Sequence, residues 1–288
     1  MVYSSFVVRS STQGENMSEK TILHHVDDYV AGGLEFAEID TRLYQGINNP
    51  HKVYIHDTSV PSLDTVALGF VTSQLALAPF EGRMVIYGNC APRRTSEKAR
   101  KNNIDHGIKY AKLKNGVEIV NVWSDYAFGF IKDDIVEFRD LNCPNSGSQF
   151  RSRDFFPNVV AQIVNRDYSA LGAELNVDDI PEIPSNIVTW TDGFGNVKTS
   201  MRQSDLEKMG LQPGDKVQVI MNGVSMLGVL SIGGFQVDRG VLAINAGSSG
   251  YDNPFIELFL RVHKMAEKTA AVRFGYPTGG TEFEIKPL

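Results

Sequence analysis

DDIPEIPSNIVTWTDGFGN, residues 178–196, marks the point where the chain changes character. Its opening Asp178-Asp179-Ile180-Pro181-Glu182-Ile183-Pro184 is acidic and proline-rich, which suits a connection between domains. The β-branched, apolar Ile187-Val188-Thr189-Trp190 then reads as a strand, and Ser204-Asp205-Leu206-Glu207 as the start of a short helix. Between them lies Asp192-Gly193-Phe194-Gly195-Asn196. Asp, Gly and Asn are common turn formers, so this stretch reads first as a tight turn. Glycine also lets a ligand approach the backbone, so the same residues suit a polar grip around a flat molecule.

Before the boundary, residues 52–56, 84–87 and 117–123 read as buried strands. Residues 57–62 form a turn-rich loop, 63–78 are apolar at helical spacing, and 155–164 read as a helix with Asp154 near its N-terminal end. Strands alternating with helices over residues 20 to 170 indicate an α/β layer structure. Beyond the boundary, residues 187–190, 216–221, 224–232, 241–245 and 281–285 are short strand-like runs broken by Gly-rich turns, as in a small β-barrel or sandwich. Residues 255–272 fit either one helix or a strand passing into a helix at His263. The expected division is a disordered tail over 1–19, an α/β domain over 20–177, a linker over 178–186 and a β domain over 187–288.

The 288 residues are 42% hydrophobic and 22% charged, with a net charge of -6, an ordinary globular composition. That acidity argues against a nucleic-acid partner. No apolar run is long enough to span a membrane, and residues 1–16 lack the basic start of a secretory signal, so a cytoplasmic protein is expected. Cys90 and Cys143 make neither a disulfide framework nor a zinc site. His24-His25 beside Asp27-Asp28 reads as a polar strand end, and no metal is expected. There is no GxGxxG after a strand, no Walker loop, no HExxH and no GxSxG.

Residues 187–223 resemble the C-terminal domain of the S-adenosylmethionine hydroxide or halide adenosyltransferases, the family of the fluorinase and chlorinase. The family's D-x-F-G-N, its D-L-x-x-x-G helix and its G-x-x-V strand match Asp192, Phe194, Gly195, Asn196, Thr199, Asp205, Leu206, Gly210, Gly214 and Val217. Phe150-Arg151-Ser152-Arg153-Asp154 is similar to the family's F-[HY]-[GS]-R-[DE], and Gly247-Ser248-Ser249-Gly250-Tyr251 to its N-S-x-G-Y. The stretch from His56 to Asp64, which includes Leu63, resembles its H-x-x-P-x-D loop.

The resemblance implies a Rossmann-like α/β sheet domain followed by a smaller β-barrel-like domain, in a homotrimer. The ligand would lie between the first domain of one subunit and the second domain of its neighbour. Asp192 and Asn196 would hold the methionine amino group, Phe194 would pack beside the ligand and Ser248 would meet the methionine carboxylate. Backbone near Ser249 and Ala270 would read the adenine edge, and Asp27 or Asp28 would accept both ribose hydroxyls. No cofactor beyond the substrate is implied. The expected reaction is attack by water or hydroxide on C5′, with halide transfer or turnover-free binding as alternatives.

This sequence departs from the family at the reacting end. Asn89 or Cys90 stands where hydroxide users carry an Asp, and Arg151 stands where they carry a His. Arg93 and Arg94 with Arg151 could form a cationic pocket, or the first two could be solvated loop charges. Ser152 is expected either to cap a helix or to donate a hydrogen bond to the nucleophile.

Overall fold

The computed structural model describes residues 20–91, 107–144, 147–148, 150–261 and 269–288. The expected tail, Arg93, Arg94 and His263 lie outside them. The chain forms two seven-stranded sheets with helices, a mixed α/β architecture.

The first sheet contains β1 (Thr21–Asp27), β2 (Val53–Ser59), β3 (Arg83–Asn89), β4 (Ile108–Leu113), β5 (Glu118–Val122), β6 (Ile135–Leu141) and β7 (Leu171–Glu174). Their order is β2-β1-β3-β5-β4-β6-β7. β2, β1, β3 and β5 are parallel, and β4, β6 and β7 join antiparallel to their neighbours. A parallel sheet needs both faces covered. Helix α1 (Leu34–Gly46) and the Phe156–Val164 helix cover one face, where Leu23, Val85 and Tyr87 meet Ile39, Leu43 and Val160. Helix α2 (Thr65–Ala76) covers the other through Ala67 and Leu68 against Val26, Met84 and Ile86.

The second sheet holds β8 (Val188–Thr191), β9 (Val197–Arg202), β10 (Lys216–Met221), β11 (Val224–Leu230), β12 (Leu242–Ala246), β13 (Phe255–Leu260) and β14 (Phe283–Pro287). Its order is β14-β10-β11-β12-β13-β9-β8, and every pair except β11–β12 is antiparallel. An isolated Ile187–Glu282 bridge joins the chain just before β8 to the chain just before β14, so the outer strands meet.

Helix α2 is apolar on all sides because it lies between the sheets. Phe70 makes edge contacts with Phe130 at 5.8 Å and with Phe255 of β13 at 5.2 Å. A Cβ added to Gly69 would collide with the Tyr126 carbonyl oxygen, so only glycine lets the chain pass this close.

Several local expectations need correction. Asp57–Ser59 belong to β2 rather than to a loop, because register with β1 carries the pairing to Asp27↔Ser59. The helix expected over 155–164 runs from Phe156 to Val164, and a separate short helix that was not expected, Arg151–Asp154, precedes it across Phe155. Of the two forms expected for 255–272, the single helix is excluded, since residues 255–260 are strand, and the next described helix is Ala270–Arg273. Ile180, placed in the linker, is buried in the first sheet's core, and Ile183 packs against Gly129.

Candidate active site

β1, β2 and β3 end in register, with Asp27 beside both Ser59 and Asn89. The chain leaves β1 toward β2 on one side and returns to β3 on the other. Open α/β sheets bind ligands beyond the strand carboxyl ends at such a point. A cleft of about 470 Å³ opens there, lined by Asp28, Tyr29, Ser62, Leu63, Asn89, Ala91, Phe150, Arg151, Ser152 and Phe156.

The two acids at the end of β1 take different places. Asp27 is fully buried beneath the cleft and accepts from Asn89 Nδ2 at 2.8 Å. Burial pushes its carboxyl up to about 6. Asp28 stands on the wall, where its Oδ2 accepts the Leu63 N–H at 2.8 Å. That bond holds Leu63 in a left-handed conformation, φ +63°. Of the two, Asp28 is the carboxylate a ligand can reach.

Tyr29 Oη lies 3.2 Å from Ser152 Oγ, and Tyr87 Oη donates to the Ser152 carbonyl at 3.2 Å. Burial raises the Tyr29 phenol to about 12, so it remains an O–H group at neutral pH. Ser152 is not a helix cap: Phe150 occupies the cap position and no side chain caps that turn. Its hydroxyl faces the cleft instead. Arg151 is mostly buried, with its guanidinium carbon 5.8 Å from the Phe156 ring centroid. Sequence reading missed Tyr29, whose only signal was position just after a parallel strand, and gave no role to Ser62 within the His56–Asp64 stretch.

Cys90 is a correction. Its side chain is buried outside the cleft lining, and its Sγ lies 3.7 Å from Asp28 Oδ2. Burial and the neighbouring acids drive the thiol far above its ordinary range, so it stays a protonated thiol at neutral pH. Asn89 and Ala91 carry that loop into the cleft, and Asn89 is its polar member there.

The second sheet's residues stand elsewhere in the same chain. Asp192 Oδ1 accepts the N–H groups of Phe194 and Asn196 at 2.9 and 3.0 Å, and its Oδ2 accepts from Asn196 Nδ2 at 3.0 Å. D-G-F-G-N is therefore a closed Asx-type turn. It leaves Phe194 64% exposed. Gly195 has φ +76°, and a Cβ there would collide with the Thr269 side chain. Ser248 is exposed, Ser249 half-buried, and Ala270 fully buried.

The G-S-S-G-Y segment is tied to the far end of α2. Gly250 N–H donates to Gln74 Oε1 at 3.1 Å and Tyr251 Oη to the Gln74 carbonyl at 2.6 Å. The cleft lies at the other end of α2, about 18 Å away by helix rise. One chain does not bring Asp192, Phe194, Asn196, Ser248, Ser249 or Ala270 to the cleft.

A larger hollow of about 780 Å³ lies at the opposite end of the first sheet, where β3 and β5 begin. Glu118 there accepts Arg83 Nη2 at 2.6 Å, Tyr110 Oη at 3.0 Å and Tyr168 Oη at 2.9 Å. A carboxylate so fully used is structural. The smaller cleft, with open donors and acceptors, is the better candidate.

No family model matches the chain, and no curated protein matches it. Solved structures similar in fold include the following two. An uncharacterized conserved protein from Thermotoga maritima superposes with a TM-score of 0.70 at 18% identity, covering 91% of this chain and 99% of its own. A conserved hypothetical protein from Thermus thermophilus gives 0.62 at 15% identity, covering 93% and 100%. Among the described residues no helix is long and apolar enough to cross a membrane.

Proposed function

We propose that the protein cleaves S-adenosylmethionine at C5′, with water or hydroxide as nucleophile, releasing L-methionine and adenosine. One observation carries this reading. Four segments singled out on sequence, around Asp28, Leu63, Asn89 and Arg151–Ser152, each place a residue in the same cleft.

The chemistry suits those residues. A sulfonium carries its own neutral leaving group, so no acid is needed at sulfur. Asp28 accepts the two ribose hydroxyls. Ser152 and Asn89 orient water behind C5′, and Tyr29 steadies the serine hydroxyl. The C5′–O bond forms as the C5′–S bond breaks, its electron pair passes to sulfur, and the attacking water gives its proton to solvent. Asp192, Phe194, Asn196, Ser248, Ser249 and the Ala270 backbone close the other side from a neighbouring subunit of a homotrimer. On this reading the first sheet forms a Rossmann-like domain and the second a barrel-like one, in a cytoplasmic enzyme.

Halide transfer is the rival reading, favoured by the Tyr29 and Ser152 hydroxyls as donors to a small anion. Incubation with S-adenosylmethionine in ¹⁸O-water separates the outcomes. Methionine together with adenosine labelled at the 5′ oxygen supports hydrolysis. A 5′-halo-5′-deoxyadenosine formed only with added chloride or fluoride supports the rival. Tight binding of intact ligand reduces the protein to a binder, and no binding removes the reading altogether.

A further inference from the structure

Under α1, the first sheet carries a polar cluster that the substitution at C5′ does not use. Strand register sets Asp57, His25 and Tyr87 side by side on β2, β1 and β3. From α1, Asp40 reaches the same point. His25 Nδ1 lies 3.0 Å from Asp40 Oδ1 and 3.7 Å from Asp57 Oδ1. One ligand-type atom from each residue falls within 4.8 Å of the others.

The imidazole is fixed in place. It is fully buried, stacked on Tyr87 at 4.9 Å with a 12° tilt, and edge-on to Phe36 at 4.6 Å. Its other nitrogen, Nε2, is buried without a hydrogen bond, 3.4 Å from Asp27 Oδ2, and Asp27 Oδ1 is likewise unpartnered. Three carboxylates thus surround one imidazole. Among the described residues, the ion pairs of Asp27, Asp40 and Asp57 are with His25 alone.

Two converging carboxylates need either a shared proton or a cation between them. A proton on Nδ1 would bridge it to Asp40 at 3.0 Å and leave Asp57, at 3.7 Å, without a hydrogen bond from it, whereas one metal ion engages the nitrogen and both oxygens. Metal–ligand bonds of about 2.1 Å place tetrahedral ligand atoms roughly 3.4 Å apart, close to the separations seen. A ligating histidine also commonly turns its second nitrogen to a carboxylate, which is the place Asp27 holds.

We propose that His25 Nδ1, Asp40 and Asp57 bind one divalent transition-metal ion, zinc being the best match to this nitrogen and oxygen set. Asp40 and Asp57 are 19% and 28% exposed, so solvent completes the coordination. The ion fixes the His25 tautomer with its proton on Nε2, toward Asp27. Asp27 in turn holds the Asn89 carboxamide that lines the cleft. The ion is a positioning element one residue behind the cleft wall, whatever molecule the cleft accepts.

The test uses the full chain, stripped with a chelator, dialysed, and titrated with zinc chloride by calorimetry. The expected result is saturable uptake of one zinc per chain and a raised melting temperature. Asp57→Asn, at a partly exposed strand position, should weaken uptake at least ~100-fold, since even an outer partner is worth 10–100-fold. Circular dichroism and the metal-free melting curve should remain native. Asp40→Asn carries the same expectation and serves where Asp57→Asn folds poorly. Cobalt substitution should give a visible absorption band that both variants lose. No saturable uptake by the native chain, or uptake that both variants leave intact, overturns the proposal.

Discussion

In the first sheet, Asp28, Asn89 and Ser152 arrive from distant parts of the chain and meet across an open cleft. In the second, Asp192 and Asn196 stand four residues apart and satisfy each other inside a closed turn. The first arrangement leaves hydrogen-bonding capacity unused and open to a ligand. The second uses its capacity locally and presents Phe194 outward. The contrast teaches that polar residues matter for binding when the fold, rather than the neighbouring backbone, brings them together. A turn can still serve a ligand, but only one delivered to it by another surface.

The largest effect that sharpens this contrast is expected at Asp28. Asp28→Asn keeps an oxygen for the Leu63 N–H but removes the charge, and should lower kcat/KM for S-adenosylmethionine on the order of 100-fold through weaker charged hydrogen bonds. The melting temperature should stay near native. A full-rate variant would take Asp28 out of the site.

Next is Asp192→Ala, expected to weaken S-adenosylmethionine binding about tenfold by calorimetry, the cost of one charged hydrogen bond. Mixing it with Asp28→Asn makes the comparison decisive. If neighbouring subunits share each site, random reassembly restores about a quarter of the sites, as a head-to-tail ring requires. Unchanged affinity in Asp192→Ala would leave D-G-F-G-N as a turn and confine the site to the first sheet.

Smaller still is the thiol response. With both cysteines pushed up by burial, Cys143 to about 11 and Cys90 beyond it, iodoacetamide at pH 8 should leave the native chain unmodified. Mass spectrometry after denaturation should then find both thiols alkylated. Rapid native labelling of Cys90 would restore it as a cleft residue.

The smallest effect concerns the turn that carries Ser152. Asp154 is held at about 2, chiefly by Arg153 and also by Ser148. Its folded value lies below the unfolded one, so this contact favours the fold above pH about 4 and is lost as pH falls toward 2. Asp154→Asn should flatten that part of the melting-temperature profile. An unchanged profile would mean the turn is held entirely by its buried side.

Much of the first sheet was legible because β3 and β5 are apolar runs bounded by turn residues, whereas β2, expected as a buried strand, is an edge strand in which only Val53 is buried. β1 was legible only as a polar strand end, because His24, His25 and Asp27 disguise a central strand whose polar face is covered by α1. α1 escaped for a related reason, since only Phe36, Ile39 and Leu43 are buried among many charges. The cleft's residues could be named singly, but Tyr29 could not. Its partner Ser152 lies 123 residues away, and only strand register shows that they meet. The His25–Asp40–Asp57 convergence was invisible for the same reason, because no short spacing links a strand, a helix and the next strand.

Helix α2 serves two masters, with one flank in the core of the first sheet and Phe70 among the aromatic rings of the second. Asp64, at its head, also accepts the Gly279 N–H at 2.7 Å, and Gln74, near its tail, receives Gly250 and Tyr251. Cutting the chain near residue 180 would strip a wall from each half at once, so the two halves should melt together as one calorimetric unit.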